Sequence, residues 1–273
     1  MMIFFSPAKI NLGLQILERR KDGFHELQSV MYPTGLCDII EIHQLPGSDR
    51  PVQFSQSGIR FDADVEKNLC INAWKLLTAE AVLPNVAIHL HKQIPVGAGL
   101  GGGSSNASTT LKGLNQIAGT PVSAERLAEL AAQLGSDCPF FLHNKAMMME
   151  GRGDVLSPVR LSLDTFYLVL LFPDIHISTT EAYRGVTPAY PQLHLREFIE
   201  APCNSWKDLI KNDFEKSAFI RHPLLKELKN FLYDAGALYA SMSGSGSSLY
   251  GIFKSQPELP ANFQKYVIWA GQA

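Results

Sequence analysis

The chain has 273 residues, 46% of them hydrophobic and 18% charged, with a formal net charge of −2. That is enough apolar material for one large core or two smaller ones. The near-neutral balance gives no support to a dedicated nucleic-acid or membrane-surface role, although a local anion site is compatible with it. The opening Met1-Met2-Ile3-Phe4-Phe5-Ser6-Pro7 has no basic segment, long apolar run or small-residue cleavage site, so no secretory leader is expected. The longest apolar run, Phe166 to Phe172, has strand length and stops at Pro173, so no membrane span is expected either. Cys37, Cys70, Cys138 and Cys203 are widely spread and form no C-x-x-C pair. Reduced, mostly buried thiols in a cytoplasmic protein are the expectation.

Along the chain, Lys9 to Leu17 alternates, with Ile10, Leu12, Leu14 and Ile16 on one face and Lys9, Asn11 and Gln15 on the other, which predicts a half-buried strand. Lys21-Asp22-Gly23 supplies a turn into a second strand from His25 to Met31, and Asp38 to His43 and Val52 to Ser55 predict further short strands. Leu69, Ala73, Leu76 and Leu77 fall at helical spacing within Asn68 to Ala81, and Val86 to His91 alternates as a strand. A glycine-rich stretch from Pro95 to Gly103 precedes a helix expected to open at Ser104 and run to about Ile117. Ser123 is a good N-cap for another helix with Leu127, Leu130, Ala131 and Leu134 inward. Met147 to Glu150 and Val155 to Val159 form an expected hairpin around Gly151-Arg152-Gly153-Asp154. A boundary is placed near Pro158, giving domains 1–158 and 159–273. Beyond it come a buried strand over Phe166 to Phe172, helices around Thr180–Gly185, Ser205–Lys211 and Pro223–Ala235, and a strand pair Ala237–Met242 and Ser248–Phe253 joined by a Gly/Ser loop. Consecutive strands early on and no regular βαβ alternation point to an α+β fold.

Most of the chemical information lies in Pro95-Val96-Gly97-Ala98-Gly99-Leu100-Gly101-Gly102-Gly103-Ser104-Ser105-Asn106-Ala107. Glycines let backbone N–H groups turn inward and approach a ligand without Cβ clashes. The following helix N-terminus adds unpaired donors and a partial positive charge, and Ser104 and Ser105 add hydroxyls, which together make a phosphate cradle. Gly97-x-Gly99-x-x-Gly102 satisfies the dinucleotide-binding spacing. However, Pro95 interrupts the lead-in, and Thr120 to Arg126, about twenty residues on, starts a helix where an acidic strand end belongs. No G-K-[ST] occurs, which excludes a Walker P-loop. A functionless flexible loop at this glycine density would lose backbone entropy for no return. His89 and His91 share a strand face, but no third metal ligand is evident and an exposed strand face is the expectation.

The string from Pro95 to Ala107 resembles the central motif of the galactokinase, homoserine kinase, mevalonate kinase and phosphomevalonate kinase superfamily. Pro7-Ala8-Lys9-Ile10-Asn11-Leu12 is similar to its N-terminal motif, and Ser241-Met242-Ser243-Gly244-Ser245-Gly246-Ser247 to its C-terminal glycine loop. With Gly23-Phe24-His25-Glu26-Leu27 and Gly135-Ser136-Asp137-Cys138-Pro139-Phe140-Phe141 added, the pattern resembles one branch of that superfamily. That branch phosphorylates the tertiary 2-hydroxyl of a cytidine-diphosphate-linked methylerythritol in the non-mevalonate isoprenoid precursor pathway. A relative acting on another small alcohol, such as homoserine or mevalonate, and a non-catalytic nucleotide-binding module are the alternatives. The resemblance implies an ATP-dependent small-molecule kinase with Mg²⁺. It implies two domains, ribosomal-S5-like and ferredoxin-like, with the active site in the cleft between them, in a monomer or homodimer. Phe24 departs from the branch, which usually has Tyr there: stacking survives the change, a hydroxyl hydrogen bond does not. Cys138 and Met242 are local variants away from the chemistry.

On that resemblance, Asp137 is the catalytic base and Lys9 its partner, keeping the carboxylate ionised and offsetting charge on the moving phosphoryl group. An Asp before Pro139 is otherwise a common turn residue, and Lys9 otherwise a solvated strand lysine. Lys9 and Asn11 point to the same side. Pro95, Gly97, Gly99, Leu100, Gly101, Gly102, Gly103, Ser104 and Ser105 are expected around the ATP phosphates, with Ser104 also capping the helix, and Asn68 and Lys92 near the adenosine. Phe24, His25 and Tyr183 form the expected cytosine pocket, the rings for stacking and His25 for the base edge. Thr179 is assigned to the substrate's ring or diphosphate, and Ser243 and Gly244 to backbone contacts with substrate. With no clustered carboxylates, Mg²⁺ is expected to be held mainly by phosphates and water.

Overall fold

The computed structural model describes residues 1–60, 68–191 and 194–273. Packing divides the chain into two compact units. One comprises Met1–Ala8, Leu36–Val96 and Gly101–Asn144, the other Lys9–Gly35, Gly97–Leu100 and Lys145–Ala273. Two long strands, β1 (Met2–Arg19) and β2 (His25–Gln44), run through both units, so packing does not follow a single cut such as one after Pro158. The two short strands expected within 25–44 are one strand. The reason lies in its alternation, which passes unbroken through Pro33 and Gly35: Tyr32, Thr34, Leu36, Asp38, Ile40 and Ile42 are all buried on one face.

In the first unit, β3 (Val52–Gly58) lies parallel to β4 (Val86–Lys92), and β4 pairs antiparallel with Ile39–Gln44 of β2. Val86, Ile88 and Leu90 of β4 share a core with Ile40 and Ile42, covered by α1 (Leu69–Glu80), α2 (Gly102–Ile117), α3 (Ala124–Leu134) and α4 (Cys138–His143). Ser123 caps α3 as its sequence predicts, its Oγ accepting from Arg126 N at 3.3 Å. Gly113 lets α2 approach the sheet closely, since a Cβ there would meet the Phe4 ring at 2.8 Å and Ile42 Cδ1 at 2.9 Å.

In the second unit, Ser29–Met31 of β2 pair with β5 (Met147–Glu150), which turns back into β6 (Val155–Pro158) as the expected hairpin. A separate antiparallel sheet has the order β10 (Val267–Gln272), β7 (Tyr167–Leu171), β9 (Leu249–Phe253), β8 (Tyr239–Met242). Leu168 to Leu171 are fully buried, which is why β7 reads as a continuous apolar run. The short helices α5 (Thr179–Arg184), α6 (Leu195–Ile199), α7 (Trp206–Leu209) and α8 (Glu215–Arg221) precede α9 (Pro223–Asp234), whose Leu225, Leu228, Phe231 and Leu232 are buried. Among the described residues no helix is long and apolar enough to cross a membrane, and all four cysteines are free thiols.

Candidate active site

The glycine-rich segment serves both units. Gly101 onward belongs to the first and Gly97–Leu100 to the second. In the first unit α2 begins at Gly102, two residues earlier than its sequence suggests. Gly101 is the N-cap in the left-handed conformation (φ 69°), and no side chain caps the helix. Ser104 therefore lies inside the first turn and is not the cap. The first-turn N–H groups keep their donor capacity and the partial positive charge of the helix end. Ser104 is half-buried, whereas Ser105 is fully buried and its Oγ accepts from Ser6 Oγ at 2.8 Å. The Ser105 hydroxyl thus helps brace the unit from inside.

Beneath this helix tip lies a carboxylate that sequence reasoning missed. Asp38 is wholly buried and accepts from Lys92 Nζ, from Gln93 N at 2.7 Å, from Ile94 N at 2.8 Å and from Asn106 Nδ2 at 2.8 Å. One side chain of β2 thereby fixes the end of β4, the chain leading into the glycine segment, and α2. Its signal was a lone acid in the inward register of an apolar strand, which demands buried partners. Lys92 is also buried, and its ammonium is 2.9 Å from where a Cβ on Gly102 would stand. Burial pulls the Lys92 ammonium below its ordinary pKa, while Asp38 opposes this. Lys92 therefore supports the helix tip from below. Asn68 caps α1, its Oδ1 accepting from Cys70 N at 2.9 Å.

Asp137, half-buried, ends the turn Gly135-Ser136-Asp137 at the N-cap position of α4 but makes no side-chain cap bond there. The turn is closed by Cys138 N donating to Gly135 O at 3.1 Å, and α2 holds it through Ser108 Oγ donating to Cys138 O at 2.7 Å. A Cβ on Gly135 would meet Ser104 Oγ at 3.7 Å, so Ser104 and the Asp137 turn are neighbours. Helix α2 therefore carries both the phosphate-cradle end and the anchor of the candidate base.

In the second unit Lys9, Asn11, Gly99, Ser243 and Gly244 come together. Lys9 is buried; its Nζ donates to Gly99 O at 3.0 Å and to Asn11 Oδ1, and its backbone N donates to Leu100 O at 2.9 Å. Asn11 is fixed at every polar atom of its amide and backbone. Its Nδ2 donates to Ser29 Oγ at 2.9 Å, its N to Ser243 Oγ at 3.3 Å, and its O accepts from Tyr250 OH at 2.7 Å. Ser243 Oγ passes its own proton to Gly99 O at 2.9 Å. Gly99 (φ +77°) must be glycine, because a Cβ there would stand 2.2 Å from Ser243 O. Asn212, also missed, donates from Nδ2 to Met242 O at 2.8 Å and Gly244 O at 2.9 Å.

The expected cytosine-pocket residues are brought together only in part. His25 and Tyr183 stack on each other, centroids 4.6 Å apart at 24°, and Phe214 meets Tyr183 edge-on at 5.0 Å. Their facing sides are in contact, so a base would stack on an outer face and not between them. Phe24 is 55% exposed, with the Arg152 guanidinium over its ring at 5.1 Å. Burial, and secondarily the charge of Arg19, holds His25 below its ordinary pKa, which keeps the imidazole neutral at pH 7. Thr179 is exposed in the first turn of α5, the helix that carries Tyr183. Among the described residues no three His, Cys, Asp or Glu side chains are grouped to hold a metal ion. His89 and His91 hydrogen-bond Ser55 and Ser57 of β3 at 2.8 to 2.9 Å.

A bare glycine-led helix tip, a neighbouring acid and a lysine held in a glycine loop are the features of an α+β phosphotransferase. The family models described as GHMP kinases N terminal domain and GHMP kinases C terminal match residues 68–145 and 194–264, and the chain belongs to the GHMP kinases. Within them it belongs to the 4-diphosphocytidyl-2-C-methyl-D-erythritol kinase family. It is 45% identical over 273 residues to the kinase of that name from Parabacteroides distasonis, covering 99% of both chains. It is 47% identical over 258 residues to that from Bacteroides fragilis, covering 94% of both. A crystal structure of 4-(cytidine 5'-diphospho)-2C-methyl-D-erythritol kinase superposes with a TM-score of 0.80 at 34% identity, over 92% of this chain and 90% of that one.

Proposed function

We infer that this protein is an ATP-dependent kinase that transfers the γ-phosphoryl group to the tertiary 2-hydroxyl of 4-diphosphocytidyl-2-C-methyl-D-erythritol, a step of non-mevalonate isoprenoid precursor synthesis. The observation that carries this reading is family membership over essentially the whole chain. The acceptor oxygen attacks the γ-phosphorus, the bond to the bridging oxygen of ADP breaks, and the hydroxyl proton leaves to a base.

The residue roles fit that reaction. Gly101, Gly102 and Gly103 present first-turn N–H groups without side-chain competition, which suits the polyphosphate of ATP, and Ser104 adds a hydroxyl at the same tip. Asp137 orients the acceptor hydroxyl and takes its proton. Lys9, held by Gly99 O and Asn11 Oδ1 in its own unit, offers its ammonium to offset charge on the moving phosphoryl group. His25, neutral at pH 7, offers one donor and one acceptor to the cytosine edge, with Tyr183 and Phe24 as stacking surfaces and Thr179, Ser243 and Gly244 toward the rest of the acceptor. The donor chemistry suits Mg²⁺ carried on the phosphates and water, with the Ser104 hydroxyl as the side chain at that tip. When bound, the ion neutralises phosphate charge. The two family models fall on either side of residue 158, which supports an ATP side over 1–158 and a substrate side over 159–273, joined on the acceptor side by Asn11, Phe24 and His25. A cytoplasmic location accords with four free thiols.

The test is ATP turnover dependent on the CDP-linked acceptor, with homoserine and mevalonate as competitors. Asp137→Ala lowers kcat by about 10²–10⁴-fold while an ATP analogue still binds. Undiminished turnover in that variant, or no binding of CDP by calorimetry, refutes the assignment.

A further inference from the structure

The second unit holds a cavity of about 470 Å³ whose lining includes none of the candidate site residues, with Lys207, Lys211, Lys216 and Lys229 and the acids Asp213 and Glu215 around it. Glu215 is committed to the interior, whereas Asp213 is half-buried and faces the charge of Lys211. Glu215 Oε1 accepts from Met242 N at 2.9 Å and Ser241 Oγ at 3.1 Å, and its Oε2 from Lys229 Nζ at 2.6 Å. Asp213 Oδ2 accepts from Ile16 N at 2.8 Å. Lys207, Lys211 and Lys216 are exposed and form no ion pair among the described residues; Lys207 Nζ instead lies over the Tyr233 ring at 4.5 Å. Four lysines against two carboxylates give this concave lining an excess of positive charge, on a protein whose net charge is −2.

The same wall is also mechanically placed. Lys211, Asn212 and Asp213 line the cavity and grip β1 and the C-terminal glycine loop. Leu14 N donates to Lys211 O at 3.0 Å, Asp213 N donates to Leu14 O at 2.8 Å, and Asn212 holds the carbonyls of Met242 and Gly244. A Cβ on Gly244 would stand 3.4 Å from Lys9 Nζ, so the loop that this wall positions borders the candidate catalytic lysine.

We propose that this cavity is a regulatory anion site that takes a small phosphate-bearing molecule and acts on turnover through the Asn212–Glu215 wall. Its volume suits a ligand of a few phosphate groups with a small organic part, and a lining with four lysines against two carboxylates suits negative charge.

The test is calorimetric titration of the full-length enzyme with inorganic pyrophosphate, its nucleotide sites first saturated with a non-hydrolysable ATP analogue and CDP. The comparison is Lys211→Met combined with Lys216→Met, both exposed and remote from the reacting groups. Saturable binding to the wild type is expected, weakened roughly tenfold in the double variant. Pyrophosphate also changes the acceptor KM or kcat of the wild type but not of the variant, whose turnover without pyrophosphate stays at the wild-type level. No saturable binding with the nucleotide sites filled, equal affinity in the variant, or binding without any kinetic effect overturns the proposal.

Discussion

Asp38→Asn should be among the most damaging single-atom-scale changes in the first unit. The substitution keeps an oxygen for Gln93 N and Ile94 N but turns the other carboxylate oxygen into an amide nitrogen. That nitrogen would face Lys92 Nζ and Asn106 Nδ2, both donors. Lys92, only 3% exposed, loses its counter-charge and cannot reach water without moving α2. Removing one partner of a buried ion pair costs about 3–5 kcal/mol. For a chain of this size each kcal/mol corresponds to about 2–4 °C, so a fall of roughly 6–20 °C in the melting temperature is expected. The damage extends to binding, because the same carboxylate holds the lead into the glycine segment and the first turns of α2. An ATP analogue should bind more weakly while the acceptor KM changes less. Adding Lys92→Met tests the cause: it removes the stranded charge and fills the space with an apolar stem of similar length. The double variant should regain more than half of the lost stability. A drop below about 3 °C, or no recovery in the double variant, would show that the pair is not the load on which this tip rests.

Gly99→Ala places a Cβ 2.2 Å from Ser243 O at a φ of +77°, whereas Gly119→Ala meets nothing within 4 Å at a φ of +83°. Both carry the left-handed penalty of about 1–2 kcal/mol, but Gly99→Ala alone should also lower kcat/KM, by at least about tenfold. Equal kinetics in the two variants would reject the close-approach argument. For His25, burial and Arg19 depress the folded pKa below its ordinary value of 6.5. As pH falls through 6.5 the unfolded chain takes up a proton first, so the folded state loses stability until pH reaches the folded pKa. Melting temperature should therefore fall more steeply from pH 7.5 to 5.5 in the wild type than in His25→Phe, and parallel slopes would argue against a neutral His25 in the folded protein.

Local periodicity revealed much of the fold. The strand beginning at Lys9, the β5–β6 hairpin, the Ser123 cap and the apolar strand β7 all follow from alternation, capping chemistry and turn residues, which act over a few positions. The glycine segment was legible as a loop leading into a helix start for the same reason. What local pattern hid was whatever depends on partners distant in sequence. Ser105 reads as a hydroxyl beside a helix start, and nothing local reveals that Ser6, ninety-nine positions away, bonds it in the interior. His25 and Tyr183 read as two walls of a pocket, but tertiary packing stacks one on the other. Pro33 and Gly35 look like strand breakers, yet the inward register continues past them. Asp38, Asn106 and Asn212 carried a weak signal: polar residues in positions the pattern assigns to the core.

Those overlooked residues explain how glycine-rich loops can serve in catalysis. Glycine permits close approach but leaves the unfolded chain more freedom to lose, so a loop of this kind holds one shape only if other groups impose it. In this chain the imposing groups are buried polar side chains: Asp38 at the lead into the segment, Ser243 and Lys9 on the Gly99 carbonyl, and Asn212 on the carbonyls of Met242 and Gly244. These bonds are buried or partly buried, and an unmet donor in the interior costs about 1–3 kcal/mol, so the loops are held in shape by the chain itself. Donors fixed in advance do not have to be reorganised as charge develops on the transferred group. It follows that substitutions at Asn212 should change kcat although this side chain touches only carbonyls of the chain itself, because what they loosen is the frame around Lys9.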